Sequence, residues 1–185
     1  MILASCSPRR KELLKRCGVE FSVFVPQVDE VQPGCGISVK ELPLHNAGLK
    51  AMAATEVFPQ ELVLGADTVV VCDDIMFGKP QSEADSFRML TELSGKTHQV
   101  ITGVALISKA RQIREMWSEV TQVRFKNLSP ADIENYISCV YTLDKAGAYA
   151  IQEHPDLIID GYDGELENVI GLPLKHLQTL LHKYL

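Results

Sequence analysis

Residues 62–72 read Leu-Val-Leu-Gly-Ala-Asp-Thr-Val-Val-Val-Cys, and this run constrains the fold more than any other part of the chain. So many valines and leucines in sequence predict a buried strand, with Gly65 as a point of interruption. Asp67 lies inside the run. An unpaired buried charge is costly. This aspartate is therefore either a hydrogen-bonded structural group or a metal ligand or base.

Other elements follow from local signals. Ile2–Ala4 begins a short strand, Ser7 and Pro8 read as N-cap and first residue of a helix to Cys17, and Gly18 stops it. Residues 21–25 read as strand, 31–40 as a loop carrying Pro33, Gly34 and Gly36, and 44–55 as helix. Asp73 and Asp74 predict a turn before a short strand at 75–77. A helix over 82–93 carries a capping-box pattern in Ser82 and Asp85, with Gly95 after its end. Two long strands follow at 98–107 and 113–125, then a helix capped by Ser129 and Asp132 that runs to about Cys139. Short strands are expected at 148–151 and 157–159, and an amphipathic helix at 174–184 closes the chain. Strands and helices mix without strict alternation, which predicts a mixed α/β sheet rather than a pure βαβ array. With 185 residues, one domain over 1–185 is expected.

Composition narrows the function. A formal net charge of −6 is wrong for wrapping nucleic acid, which needs a basic face. A small polyanion can still bind where cations are gathered. The five cysteines are odd in number and show no Cys-x-x-Cys pair, so they read as idle thiols in a reducing cytosol. No segment approaches the ~18 apolar residues of a membrane span. The few apolar residues before Ser5 are followed by arginines, the reverse of a secretory signal, so a cytoplasmic location is expected.

The segment Ser5-Cys6-Ser7-Pro8-Arg9-Arg10-Lys11 sits where a strand hands over to a helix. Free N–H groups and the positive end of the helix dipole make such a place anion-binding. Three cations in the first turn oppose that dipole, which points to a phosphate site over a merely solvated basic face. Cys6 has no activating base near it in sequence, which argues against a nucleophile. Val28-Asp29-Glu30 follows a strand, Lys50 lies in an alanine-rich helix, and Gly78-Lys79-Pro80 holds a lysine in a rigid turn. Asp144-Lys145-Ala146-Gly147-Ala148-Tyr149 packs small residues around a charge pair, and the amide of Gln152 can donate and accept, as reading a base edge requires. The turn at 168–173 reads as structural. There is no Gly-x-x-x-x-Gly-Lys-Ser/Thr loop, no His-Glu-x-x-His zinc motif and no Gly-x-Ser-x-Gly elbow, and Gly34-Cys35-Gly36 lacks the third glycine of a dinucleotide fingerprint.

Taken in order, these segments resemble the Maf family of nucleotide pyrophosphatases, once called septum formation inhibitors. The resemblance rests on Leu3-Ala4-Ser5-Cys6-Ser7-Pro8-Arg9-Arg10, Val28-Asp29-Glu30, Lys50-Ala51, Gly65-Ala66-Asp67-Thr68-Val69-Val70 and Gly78-Lys79-Pro80. It continues through Leu93-Ser94-Gly95, His98, Thr102-Gly103, Asp144 to Tyr149, Ile151-Gln152 and Asn168 to Pro173. The resemblance implies an elongated mixed sheet flanked by helices, similar to inosine triphosphate pyrophosphatases, with a central cleft between two lobes. It implies hydrolysis of a nucleoside triphosphate to the monophosphate and pyrophosphate. Asp67 would accept the proton, Ser7, Arg10, Lys50 and Lys79 would gather the triphosphate, and Glu30 with Asp67 would lie near a divalent metal, Mg or Mn. Thr68 and Gln152, with Arg10, would contribute to base choice.

One branch of the family prefers dTTP and UTP, another 7-methyl-GTP, and Ser-Pro-Arg-Arg with Gly-Ala-Asp-Thr and Ala-Gly-Ala-Tyr-x-Ile-Gln resembles the first. The chain departs from the family pattern at Tyr141-Thr142-Leu143 and Glu153-His154-Pro155. A binding protein without catalysis, acting on cell division, is the competing reading, and a homodimer is compatible with either. The expected partner is a small nucleotide, with no nucleic acid and no membrane.

Overall fold

The computed structural model describes residues 1–185. In chain order its elements are β1 (Ile2–Ala4), α1 (Pro8–Lys15), β2 (Ser22–Phe24), α2 (Leu42–Val57), β3 (Val63–Cys72), β4 (Ile75–Phe77), α3 (Glu83–Leu93), β5 (Thr97–Ser108) and β6 (Ile113–Phe125). They continue with α4 (Pro130–Cys139), a short 3-10 turn (Ala146–Ala148), α5 (Pro155–Ile158), β7 (Ile159–Asp163), α6 (Leu166–Ile170) and α7 (Leu174–Tyr184). The strands form one seven-stranded mixed sheet in the order β2-β1-β3-β5-β6-β7, with β4 also on β3. β1 runs parallel to β2 and β3, and the remaining pairs are antiparallel. This is the mixed, helix-flanked sheet expected.

β3 is the central strand, and the apolar run accounts for it. Leu64, Ala66 and Val104 pack beneath α1 and α7 in one core. Val70 and Val100 belong to a second core under α3 and α4, with Phe77, Leu90, Phe125 and Tyr136. On the opposite face, Val63 and Ala105 meet Ala47, Ala51 and Ala54 of α2. No helix is long and apolar enough to cross a membrane.

Two glycines decide how closely α2 lies. A Cβ at Gly65 would fall 2.4 Å from the Ala47 carbonyl oxygen, and one at Gly103 would fall 2.2 Å from the Leu44 nitrogen. Gly65 therefore does not interrupt the strand; it is the buried residue on which the helix rests.

The strand edge matters more for function than the strand centre. β1 pairs with β3 only as far as Gly65, and β4 takes up the same edge again only at Val70. Between them, Ala66–Val69 has no neighbouring strand on that side. A cleft opens there, between the α1/α7 core and the α3/α4 core.

Three local expectations need correction. Residues 148–151 do not form a strand: Gly147 and Ala148 both have positive φ, 70° and 63°, and left-handed backbone cannot extend. The Gly147 N–H is bonded to the Gly78 carbonyl instead, at 3.0 Å. The last strand is displaced from 157–159 to Ile159–Asp163, because Pro155 starts a helical turn and the polar Asp160 and Asp163 lie on an exposed edge strand. Ser82 accepts from the Asp85 N–H as predicted, but the Asp85 carboxylate bonds the N–H of Gln81. The capping box at Ser129 and Asp132 is complete.

Candidate active site

The gap in the β3 edge is lined from both faces of the sheet. Asp67 and Thr68 are consecutive in an extended strand, so their side chains leave on opposite faces. Asp67 faces α2. Its Oδ1 lies 2.8 Å from Lys50 Nζ, and Glu30 Oε1 meets the same ammonium at 2.8 Å. Lys50 is one helical turn after Asn46, on the same side of α2. Asn46 donates to Asp67 Oδ2 at 3.4 Å and clasps the Val31 backbone, accepting from its N–H at 2.9 Å and donating to its carbonyl at 3.2 Å. The segment carrying Glu30 is thereby tied to α2.

Thr68 faces α1. Arg10 Nη2 donates to Thr68 Oγ1 at 2.9 Å and Nε donates to the Gly171 carbonyl at 2.8 Å. A weaker bond joins Nη1 to Ser5 Oγ at 3.4 Å. Burial pulls the Arg10 guanidinium below its ordinary value, while the charges of Asp67 and Glu30 favour its protonated form. Ser7 caps α1, its hydroxyl accepting from the Arg10 N–H at 3.4 Å. The expected turn at 168–173 is helical up to Ile170, the end of α6, and only 171–173 lead into α7; the Gly171 carbonyl there also aims Arg10.

All eight residues singled out in the sequence, Ser7, Arg10, Glu30, Lys50, Asp67, Thr68, Lys79 and Gln152, line one cavity of about 560 Å³. Lys79 and Gln152 are exposed at its rim and make no bond to other side chains, so their donors remain free. Arg9, Asn46 and Asp144 line it too. Asn46 carries no signal of this in the sequence, where it is an ordinary polar residue of an alanine-rich helix; its burial and its bonds come from the packing of α2. Arg9 spans the cleft, its Nη1 donating to Asp144 Oδ2 at 2.9 Å. Burial pushes the Asp144 carboxyl up, and the hydrogen bonds from Lys145 and Arg9 outweigh that and hold it below the usual carboxylate range.

The donor set suits a hard divalent ion. Glu30 and Asp67 aim two carboxylate oxygens at a single cation, the Lys50 ammonium. No cluster of three or more His, Cys, Asp or Glu is present. Two carboxylates fit an ion of the Mg or Mn type, which keeps waters and takes its other ligands from substrate phosphates.

A family model described as Maf-like protein matches residues 1–184. The chain belongs to the Maf family. Among curated relatives, a protein of Phocaeicola vulgatus is 45% identical over 186 residues, 99% of this chain and 95% of its own length. One from Akkermansia muciniphila is 41% identical over 182 residues, covering 98% and 95%. One from Thermosipho africanus is 44% identical over 181 residues, covering 98% and 91%. All three are named dTTP/UTP pyrophosphatase.

Proposed function

We propose that this Maf protein is a nucleoside triphosphate pyrophosphatase, one catalytic domain over 1–185 that hydrolyses dTTP and UTP to the monophosphate and pyrophosphate. The observation that carries it is Asp67, a carboxylate in the open edge of a buried strand that lines the cavity, with one oxygen held by Lys50 and the other met only by the long bond from Asn46. The substrate class follows the names of relatives that match nearly the whole chain.

Each residue has work that its position supports. Lys79 and the remaining N–H of Lys50 neutralise phosphate oxygens. Arg10 spends three of its five N–H donors on the protein, bracing Thr68, and keeps one on each terminal nitrogen for a phosphate oxygen. Asp67 Oδ2, which has only the long contact to Asn46, takes a proton from the attacking water. The water oxygen bonds to the α-phosphorus, the bond from that phosphorus to the bridging oxygen breaks, and pyrophosphate leaves. A divalent ion, when bound by Glu30 and Asp67, supplies Lewis acidity and acidifies water. Gln152 meets the base. The five free cysteines fit a cytoplasmic enzyme.

The test is pyrophosphate release over a panel of nucleoside triphosphates with magnesium and with manganese. Cleavage of dTTP and UTP ahead of 7-methyl-GTP and ATP is expected, and loss of activity in excess chelator. Preference for 7-methyl-GTP overturns the base assignment, and no cleavage under either metal overturns the enzyme.

A further inference from the structure

Thr68 Oγ1 and Thr102 Oγ1 lie 2.9 Å apart, on directly opposed residues of β3 and β5. Each hydroxyl has one proton to give. The groups at the two ends of this pair differ in kind. Arg10 Nη2, which can only donate, is 2.9 Å from Thr68 Oγ1. The Asn168 carbonyl, which can only accept, is 3.1 Å from Thr102 Oγ1. One sense makes every bond: Arg10 to Thr68, Thr68 to Thr102, Thr102 to Asn168. Reversing the middle bond leaves Thr102 Oγ1 and the Asn168 oxygen 3.1 Å apart with no proton between them, and both residues are fully buried.

The accepting end is held firmly. Asn168 Nδ2 donates to the Val100 carbonyl and to Thr121 Oγ1, each at 3.0 Å, and Thr121 Oγ1 donates to the Glu165 carbonyl at 3.0 Å. At the cavity end, Thr68 itself lines the cavity, beside Arg10 and Gly171.

We propose that Thr102 is a positioning residue for base selection. It takes the Thr68 proton inward, so Thr68 faces the cavity as a hydrogen-bond acceptor only. This rests on the pyrimidine pyrophosphatase reading above and adds how one pyrimidine is told from another. Uracil and thymine carry an N3–H that such an acceptor can receive. Cytosine carries an unprotonated N3, which sets acceptor against acceptor. Gln152 cannot make this distinction alone, because an amide turned over serves either base. A hydroxyl whose proton is committed cannot turn.

The experiment measures kcat/KM for UTP and CTP in the wild type, Thr102→Val and Thr102→Ser, with thermal melts alongside. Thr102→Val should lower the UTP-to-CTP ratio about tenfold while kcat for UTP stays within about threefold. Thr102→Ser, which keeps the hydroxyl, should keep the wild-type ratio. If Thr102→Val does not fold, Thr102→Ala removes the same hydroxyl without the added methyl and should lower the ratio likewise. Equal losses on both nucleotides indicate a purely structural threonine and overturn the proposal, as does an unchanged ratio. A wild type that cleaves UTP and CTP equally overturns it and leaves the pyrophosphatase reading standing; one that cleaves neither removes both.

Discussion

Lys50 and Lys145 each stand between two carboxylates, Lys50 against Glu30 and Asp67, Lys145 against Asp144 and Glu153. Their side chains are similarly buried, at 11% and 5% exposed. The difference lies in what remains unused. Lys145 spends its third proton on the Tyr141 carbonyl at 2.6 Å, and Arg9 bonds Asp144 from across the cleft, so two cations meet two anions. Lys50 has no third protein acceptor, and its trio carries an excess negative charge. One cluster is closed and balanced; the other is open at the cavity and suited to a cation and a phosphate. Glu153, one of the departures from the family pattern, belongs to the closed cluster.

The largest effect should come from the open cluster. Asp67→Asn keeps the shape but can neither take a full proton nor hold a metal well, so turnover should nearly vanish while the melting temperature stays. Retention of more than about a tenth of kcat, a loss below ~1.4 kcal/mol, would remove Asp67 from its role.

Acid should act on the opposite lobe first. His98 is buried there between Phe125 and Tyr149, its Nε2 2.8 Å from the Tyr149 hydroxyl and its Nδ1 without a partner. Burial holds its pKa down at about 4 against an ordinary 6.5. The unfolded chain therefore binds the proton first, so this contribution is full above pH 6.5 and is lost as pH falls towards 4. The loss should reach on the order of 3 kcal/mol in urea titrations across that window. If His98→Asn shows the same slope as wild type, other groups carry the acid sensitivity.

A smaller change separates the two lysines directly. Lys145→Met leaves Asp144 and Glu153 without their shared partner, and because both carboxylates are part-exposed the cost should be about 2 kcal/mol, below that of a fully buried pair. Turnover should be nearly unchanged. A large fall in kcat with an unchanged melting temperature would mean that the closed cluster also serves the reaction.

The smallest effect is expected at Cys6, which lines the cavity and is exposed. Cys6→Ala should keep close to wild-type activity, and its complete inactivation would revive a thiol nucleophile.

Much of this protein is legible from local chemistry. The valine-rich run, the Ser7-Pro8 and Ser129-Asp132 caps and the Asp73-Asp74 turn each specify their element within a few residues, because propensity and capping act over one turn or one strand. The ordered motifs likewise named the residues that come to line the cavity. Residues 148–151 do not extend as their own pattern predicts, because the shape of the chain there comes from bonds to distant backbone, such as Gly147 to Gly78. The roles of Asn46 and Thr102 were hidden for the same reason. Each is an ordinary polar residue until α2 settles onto Gly65 and Gly103, and until register sets Thr68 opposite Thr102. Sequence by itself determined that the apolar run over 62–72 is a buried strand and which charged groups stand at element ends. Tertiary structure alone decided that β1 stops at Gly65 and β4 starts at Val70, and an unpaired stretch of strand edge is a property of neighbours that no single segment encodes.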